Sequence, residues 1–148
     1  MEDIKVVDSE TVRTELGNRS ITEVAVGILV RPNGDFLMTT RPAGKAYAGH
    51  WEFPGGKLEA NETVVEALRR ELIEEIGVTI QDAQVWRSSV VDYPHALVRL
   101  TFCKVSAWTG QLHMRESQQF AWQSLPVQVT PVLAGTIPVL QWLASELL

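Results

Sequence analysis

The segment from Thr63 to Gly77 constrains this chain more than any other. Thr63, with Glu66 three residues on, forms a capping box, in which hydroxyl and carboxylate each satisfy an amide that a helix start leaves open. Val65, Leu68, Leu72 and Ile76 recur at helical spacing as an apolar stripe. Gly77 supplies the left-handed residue on which such a helix ends. The spacing therefore predicts one amphipathic helix, and its buried face obliges the rest of the chain to provide a layer to pack against. Glu71, Glu74 and Glu75, at i, i+3 and i+4, share the face opposite the Leu68/Leu72 stripe, with Arg70 beside them. Like charges so spaced cost a helix on the order of a few tenths of a kcal/mol. On these residues alone two readings stay open. One is a solvated acidic face; the other is a site for a divalent cation such as magnesium, which takes hard oxygen ligands and keeps waters and substrate phosphates in its shell.

The flanking sequence reads as strands and turns. Glu23 to Val30 is a buried strand by its valines and isoleucine, and Arg31 to Asp35, with Pro32 and Asn33-Gly34, is a turn. Phe36 to Thr40 returns as a second strand, predicting a hairpin. Arg41 to Gly49 is a loop, Trp51 to Phe53 is short and apolar, and Pro54-Gly55-Gly56 reads as a sharp turn. After the helix, strands are expected at Val85–Val91 and Leu97–Val105, with Tyr93-Pro94 as a strand end. A turn follows at Thr109-Gly110, then a short segment near Phe120–Trp122. Ile137 to Leu148, opened by Pro138, reads as a C-terminal helix. The order predicts an α+β fold, an α/β/α sandwich with a mixed sheet between the two helices.

A length of 148 residues at 45% hydrophobic content suits a single domain, 1–148, with a real core. Residues 1–20 stand apart as an N-terminal extension of unassigned role. The lone Cys103 excludes an internal disulfide and a multi-cysteine zinc site and fits a reducing, cytoplasmic setting. No apolar run approaches the roughly 20 residues of a membrane span, and Met1 to Lys5 lacks the look of a signal peptide. Thirteen basic against eighteen acidic residues, a net charge of −5, speaks against a nucleic-acid backbone binder. It leaves phosphate chemistry open where metal ions bring the positive charge. His50, His95 and His113 do not cluster in sequence and are given no metal role, and Trp51 is read as core.

The wider pattern decides the helix. Gly56, five residues, Glu62, seven residues, then Arg70-Glu71-Leu72-Ile73-Glu74-Glu75-Ile76-Gly77-Val78 resembles the signature of the Nudix hydrolases at every specified position. Seven of those positions demand a single residue type, and at about 7% usage each a chance match is roughly 10⁻⁸ per starting position. Glu23 to Val30, Arg41, Trp51 to Lys57 and Pro138-Val139 extend the likeness to the MutT-type branch. Residues 1–20 have no counterpart in it.

The resemblance implies an enzyme acting on acid anhydrides, a nucleotide diphosphatase that uses magnesium (manganese being the alternative). Water attacks the β-phosphorus of a nucleoside triphosphate and leaves nucleoside monophosphate and pyrophosphate. It implies Glu71, Glu74 and Glu75 as metal ligands with the carbonyl of Gly56, and Glu116 as a further ligand from a later loop. Glu71 is either the general base or a ligand only, Arg70 orients it, and Lys57 neutralises the leaving phosphate. Glu62 holds the loop or a water, while Gly55 and Gly77 complete the structural box. Arg41, Glu52 and Thr136 are the expected substrate-binding residues. Members that prefer 8-oxo-dGTP carry an asparagine where Thr136 stands here, and an amide both donates and accepts on one base edge. The leading expectation is cleansing of oxidised dNTPs such as 8-oxo-dGTP, a function in DNA repair. The alternatives are CTP, an unmodified dNTP or a dinucleotide, and, from another class, a Nudix module that binds nucleotide without turnover. No membrane or direct nucleic-acid partner is expected, and the chain is read as a monomer or homodimer.

Overall fold

The computed structural model describes residues 4–7 and 20–147. In chain order they form β1 (Lys5–Val7), β2 (Ile21–Leu29), β3 (Phe36–Thr40), β4 (Trp51–Glu52), β5 (Gly55–Lys57), α1 (Val64–Ile76), β6 (Thr79–Asp92), β7 (Leu97–Thr109), β8 (Phe120–Gln123), a 3-10 turn (Ala134–Thr136) and α2 (Ile137–Glu146). A five-stranded sheet runs β1-β6-β7-β2-β5, and a three-stranded one runs β4-β3-β8. β2 lies parallel to β7 at its centre, and the other pairings are antiparallel. The sheet is thus mixed, as the sequence predicts.

Strand alternation assigns the two helices to opposite faces. Ala25 and Leu29 of β2 pack with Leu68, Leu72 and Ile76 of α1 and with Cys103 and Val105 of β7. Val26 and Ile28 point the other way, to Phe53, Phe102 and Val139 of α2. Each helix therefore buries its stripe on one side of a shared sheet. Within α1, Ala67 joins the buried stripe and Val65 is only half-buried.

Several expectations need correction. β2 and β3 do not form a hairpin in one sheet: beyond a single Val30–Phe36 bridge, the Arg31–Asp35 turn hands the chain to the second sheet. Pro54-Gly55-Gly56 is no sharp turn either. Gly55 and Gly56 extend as β5 against Val26 and Ala25, and the carbonyl of Pro54 accepts from the Gly27 N–H at 2.8 Å. A Cβ on Gly55 would stand 2.0 Å from the Ala25 carbonyl oxygen, so glycine is what permits this approach. β6 and β7 reach further at both or one of their ends than predicted, and α2 stops at Glu146. Of the N-terminal extension, Lys5–Val7 pairs with Val90–Asp92 along β6; residues 1–3 and 8–19 lie outside the described residues. Among the described residues no helix is long and apolar enough to cross a membrane.

Candidate active site

A cavity of about 600 Å³ lies over the central strands, where Val24 and Val26 of β2 and Val98, Leu100 and Phe102 of β7 form its apolar floor. Gly55, Gly56, Lys57, Glu71, Glu75 and Glu116 line it from the β5 side, and Arg41 and Glu52 also face it. Tyr93 and Thr136 line it too, and Tyr93 ends β6. From β5 across β2 and β7 to β6 are three strand steps, roughly 14 Å at about 4.8 Å each. The cavity thus joins a carboxylate end to an apolar end closed by Thr136.

α1 and the turn before it build the carboxylate end. Thr63 accepts from the Glu66 N–H at 3.1 Å while Glu66 accepts from the Thr63 N–H at 2.9 Å, which is the expected capping box. Gly77 adopts φ 76° and closes the helix through its N–H to the Ile73 carbonyl. The last carbonyls of α1 are not left open. Ile76 accepts from the His113 N–H at 2.9 Å and Glu75 from the Arg115 N–H at 3.0 Å. This docking brings the loop bearing Glu116 to the side of Glu75.

Arg70 is the hub behind the site. It donates two bonds of 2.8 Å to Glu62, one of 2.8 Å to Glu71 and one of 3.0 Å to the Lys57 carbonyl. Glu62 also accepts from the Glu59 N–H at 2.7 Å, so it holds the loop. The Arg70 hydrogen bonds, then that backbone bond, bring the Glu62 carboxyl down to about 2. Its hydrogen bonds to Glu62 and Glu71 push the Arg70 guanidinium above its ordinary range. Glu71, its side chain 14% exposed, lies against Gly56: a Cβ there would stand 2.3 Å from the Glu71 carboxyl carbon.

Glu74 departs from the expected set. It lies outside the cavity, 58% exposed, 3.4 Å from Arg70. At about 100° per residue, Glu75 stays near Glu71 on the helix while Glu74 falls on the opposite flank, over Arg70. The three carboxylates share a half of the helix but not one wall.

Burial, and then the charges of Glu71 and Glu116, push the Glu75 carboxyl up to about 8. Burial likewise raises Glu52, partly offset by Arg41. Arg41 is held in turn by the Ala46 carbonyl at 2.6 Å and by Glu52 at 3.2 Å. Among the described residues no three acidic, histidine or cysteine side chains assemble into a finished cation cage. Magnesium needs less, one or two carboxylates plus substrate phosphates. The glycine at residue 56, which lets the Glu71 carboxylate lie against its backbone, and the repelling carboxylates of Glu71, Glu75 and Glu116 make a hard-oxygen donor set that fits such an ion.

Sequence reasoning missed one feature. Tyr47, at φ 59°, sets its ring 5.5 Å from Tyr93 and 6.1 Å from His95, and Tyr93 lies 5.4 Å from His95. These rings come from two loops far apart in sequence. The only signal was Tyr93-Pro94, which reads as a strand end.

The NUDIX domain model matches residues 21–143. The 8-oxo-dGTP diphosphatase of Haemophilus influenzae is 37% identical over 71% of this chain and 77% of its own length. The CTP pyrophosphohydrolase of Escherichia coli is 33% identical over 80% of this chain and 88% of its own. A solved MutT structure, from work on Aliivibrio salmonicida and Vibrio cholerae, superposes with a TM-score of 0.70 at 31% identity, covering 86% of this chain and 99% of the other.

Proposed function

The chain belongs to the Nudix family of hydrolases, and from that premise we propose that it is a magnesium-dependent nucleoside triphosphate pyrophosphohydrolase of MutT type, with 8-oxo-dGTP as its leading substrate. The observation that carries this is one cavity with both a carboxylate end and an apolar end. Phosphates lie by Gly56, Glu71, Glu75 and Glu116, and the base lies over Val98 and Leu100 toward Thr136. The relatives named for 8-oxo-dGTP hydrolysis support the choice of substrate.

Magnesium, when bound, neutralises the phosphate charge and eases deprotonation of the attacking water. Glu71 and Glu75, with the carbonyl of Gly56, would hold it, and Glu116 adds a ligand from its loop. Glu74 remains with Arg70. Glu71 takes the proton of the water that attacks the β-phosphorus. The bond from that phosphorus to the oxygen bridging it to the α-phosphorus breaks, and the bridging oxygen leaves on the nucleoside monophosphate. Arg70 aims Glu71 through its 2.8 Å bond, so it is a positioning residue. Lys57 faces the cavity and balances charge on the leaving phosphate, that of the nucleoside monophosphate. Arg41, steadied by Glu52, retains further N–H groups for the substrate.

A second reading, CTP or an unmodified dNTP as substrate, is favoured by Thr136 and by the CTP pyrophosphohydrolase relative. A hydroxyl cannot match an amide's paired donor and acceptor on oxidised guanine; one lost bond costs about 1–3 kcal/mol, or roughly 10–100-fold. Steady-state hydrolysis of 8-oxo-dGTP, dGTP and CTP with Mg²⁺, scoring pyrophosphate against phosphate, separates the two. A kcat/KM at least about 100-fold higher for 8-oxo-dGTP than for dGTP is expected. Values within tenfold of each other, or a clear lead for CTP, would move the assignment to the second reading. Glu75→Gln is expected to lower kcat by at least about 10²-fold with the fold intact, because an anionic ligand is lost and like-charge repulsion relieved. Near-normal turnover in that variant would sink the ligand assignment.

A further inference from the structure

Tyr93 stands where three pieces of the molecule meet. Its main chain is clamped in the β6–β7 turn, donating to the Ala96 carbonyl at 3.0 Å and accepting from the Ala96 N–H at 3.3 Å. Its ring, 6% exposed, is gripped by Tyr47 from the Arg41-bearing loop and by His95 from its own turn. Its hydroxyl reaches the 3-10 turn before α2. A Cβ on Gly135 would stand 3.2 Å from that oxygen, 3.2 Å from Val91 Cγ2 and 3.0 Å from Leu100 Cδ1. The hydroxyl therefore packs directly against the Gly135 backbone.

The next residue is Thr136, 4% exposed and on the cavity wall. Its N–H goes to the Leu133 carbonyl at 2.9 Å, and Leu133 is itself tied to the Trp51 carbonyl at 2.9 Å. The turn is thus held at one end by the second sheet and packed at Gly135 by Leu100, Val91 and the one polar neighbour among them, the Tyr93 hydroxyl. A short side chain reads a base edge only from a fixed position, since a hydrogen bond weakens steeply once its angle falls below about 120°.

We infer that Tyr93 is the positioning residue for base specificity: its hydroxyl pins Gly135, and so sets where Thr136 meets the nucleobase. This rests on the proposed placement of the base at the Thr136 end. Tyr93 acts on selectivity, and its place at the end of β6, three strand steps from β5, leaves the chemical step at Glu71 and Glu75 alone.

The test is the kinetics of Tyr93→Phe, Thr136→Ala and the double variant on 8-oxo-dGTP, dGTP and CTP. Tyr93→Phe keeps the ring and removes only the hydroxyl. For the preferred nucleotide KM is expected to rise about 3- to 10-fold as the packed contact at Gly135 is lost, with kcat within about twofold. The disfavoured nucleotides change less, so the preference narrows. In the Thr136→Ala background the same change adds less than about twofold, because Tyr93 works through a residue already removed. Gly135→Ala, which crowds the contact from the other side, should narrow the preference alike and serves if Tyr93→Phe does not fold. The inference is overturned by an equal loss on all three nucleotides, by a fall in kcat at constant KM, or by a full additive loss in the double variant. Wild-type protein that turns over none of the three would instead fail the functional reading, and the two failures are told apart by that one control.

Discussion

At the scale of single residues, Gly56 and Arg70 carry most of the site's organisation. Gly56 leaves free the volume that Glu71 occupies, since a Cβ would lie 2.3 Å from its carboxyl carbon. Gly56→Ala must therefore swing Glu71 away while leaving the core untouched. We expect kcat to fall by at least about 10²-fold with a melting temperature within a few degrees of wild type, read by initial rates and thermal unfolding. Arg70 and Glu71 are neighbours in sequence, and their ion pair could be anticipated. Its grip on Glu62 and on the Lys57 carbonyl could not, because those bonds require the β5–α1 loop to fold back on the helix.

At the scale of the element, α1 is stabilised from both ends and from beneath. Leu72 is fully buried against Ala25, Leu68 and Cys103. Leu72→Ala should cost about 2–5 kcal/mol by denaturant unfolding, through lost transfer energy and the cavity left behind. Thr63→Ala removes a cap and should cost only about 1 kcal/mol. The ordering matters more than either value: a larger loss at Thr63 than at Leu72 would mean that the helix is held by its end and not its face. The apolar stripe, capping box and Gly77 were all legible, because each is a local pattern read within a turn or two. The division of the carboxylates was not. A spacing of i, i+3, i+4 allows one face, and only the neighbours on each flank, Arg70 on one and the Glu116 loop on the other, separate Glu74 from Glu75.

At the scale of the whole molecule, the sandwich encloses an unbalanced acidic cluster, and stability should report it. Glu75 sits near 8 in the fold, above its ordinary 4.5. A carboxyl raised in the folded state stabilises while protonated; that contribution is whole below about 4.5 and is lost as pH rises through about 8. Glu52 is shifted the same way, by burial. Glu62, lowered to about 2, loses its contribution only under acid conditions well below this window. Protein stripped of divalent ions should therefore melt at falling temperature from about pH 5 to about pH 8.5, with a flatter profile in Glu75→Gln and in wild type given millimolar Mg²⁺. A profile unchanged by both the substitution and the cation would contradict the cluster as described.

What the sequence determined by itself was the material of the site: the helix with its caps and stripe, the glycines beside it, and the layer order in which a sheet is covered on both faces. These follow from periodicity and from residues whose backbone or charge leaves few options. Tertiary structure alone decided where that material goes. The Arg31–Asp35 turn looks like a hairpin and instead moves the chain between sheets, and Gly55-Gly56 looks like a turn and instead pairs with β2. Tyr47, Tyr93 and Gly135 are unremarkable in sequence and meet only because the parallel β2–β7 pair brings distant loops to one mouth. Local chemistry sets what an element is, whereas the contacts that choose its neighbours span the whole chain and leave no mark in any short stretch of it.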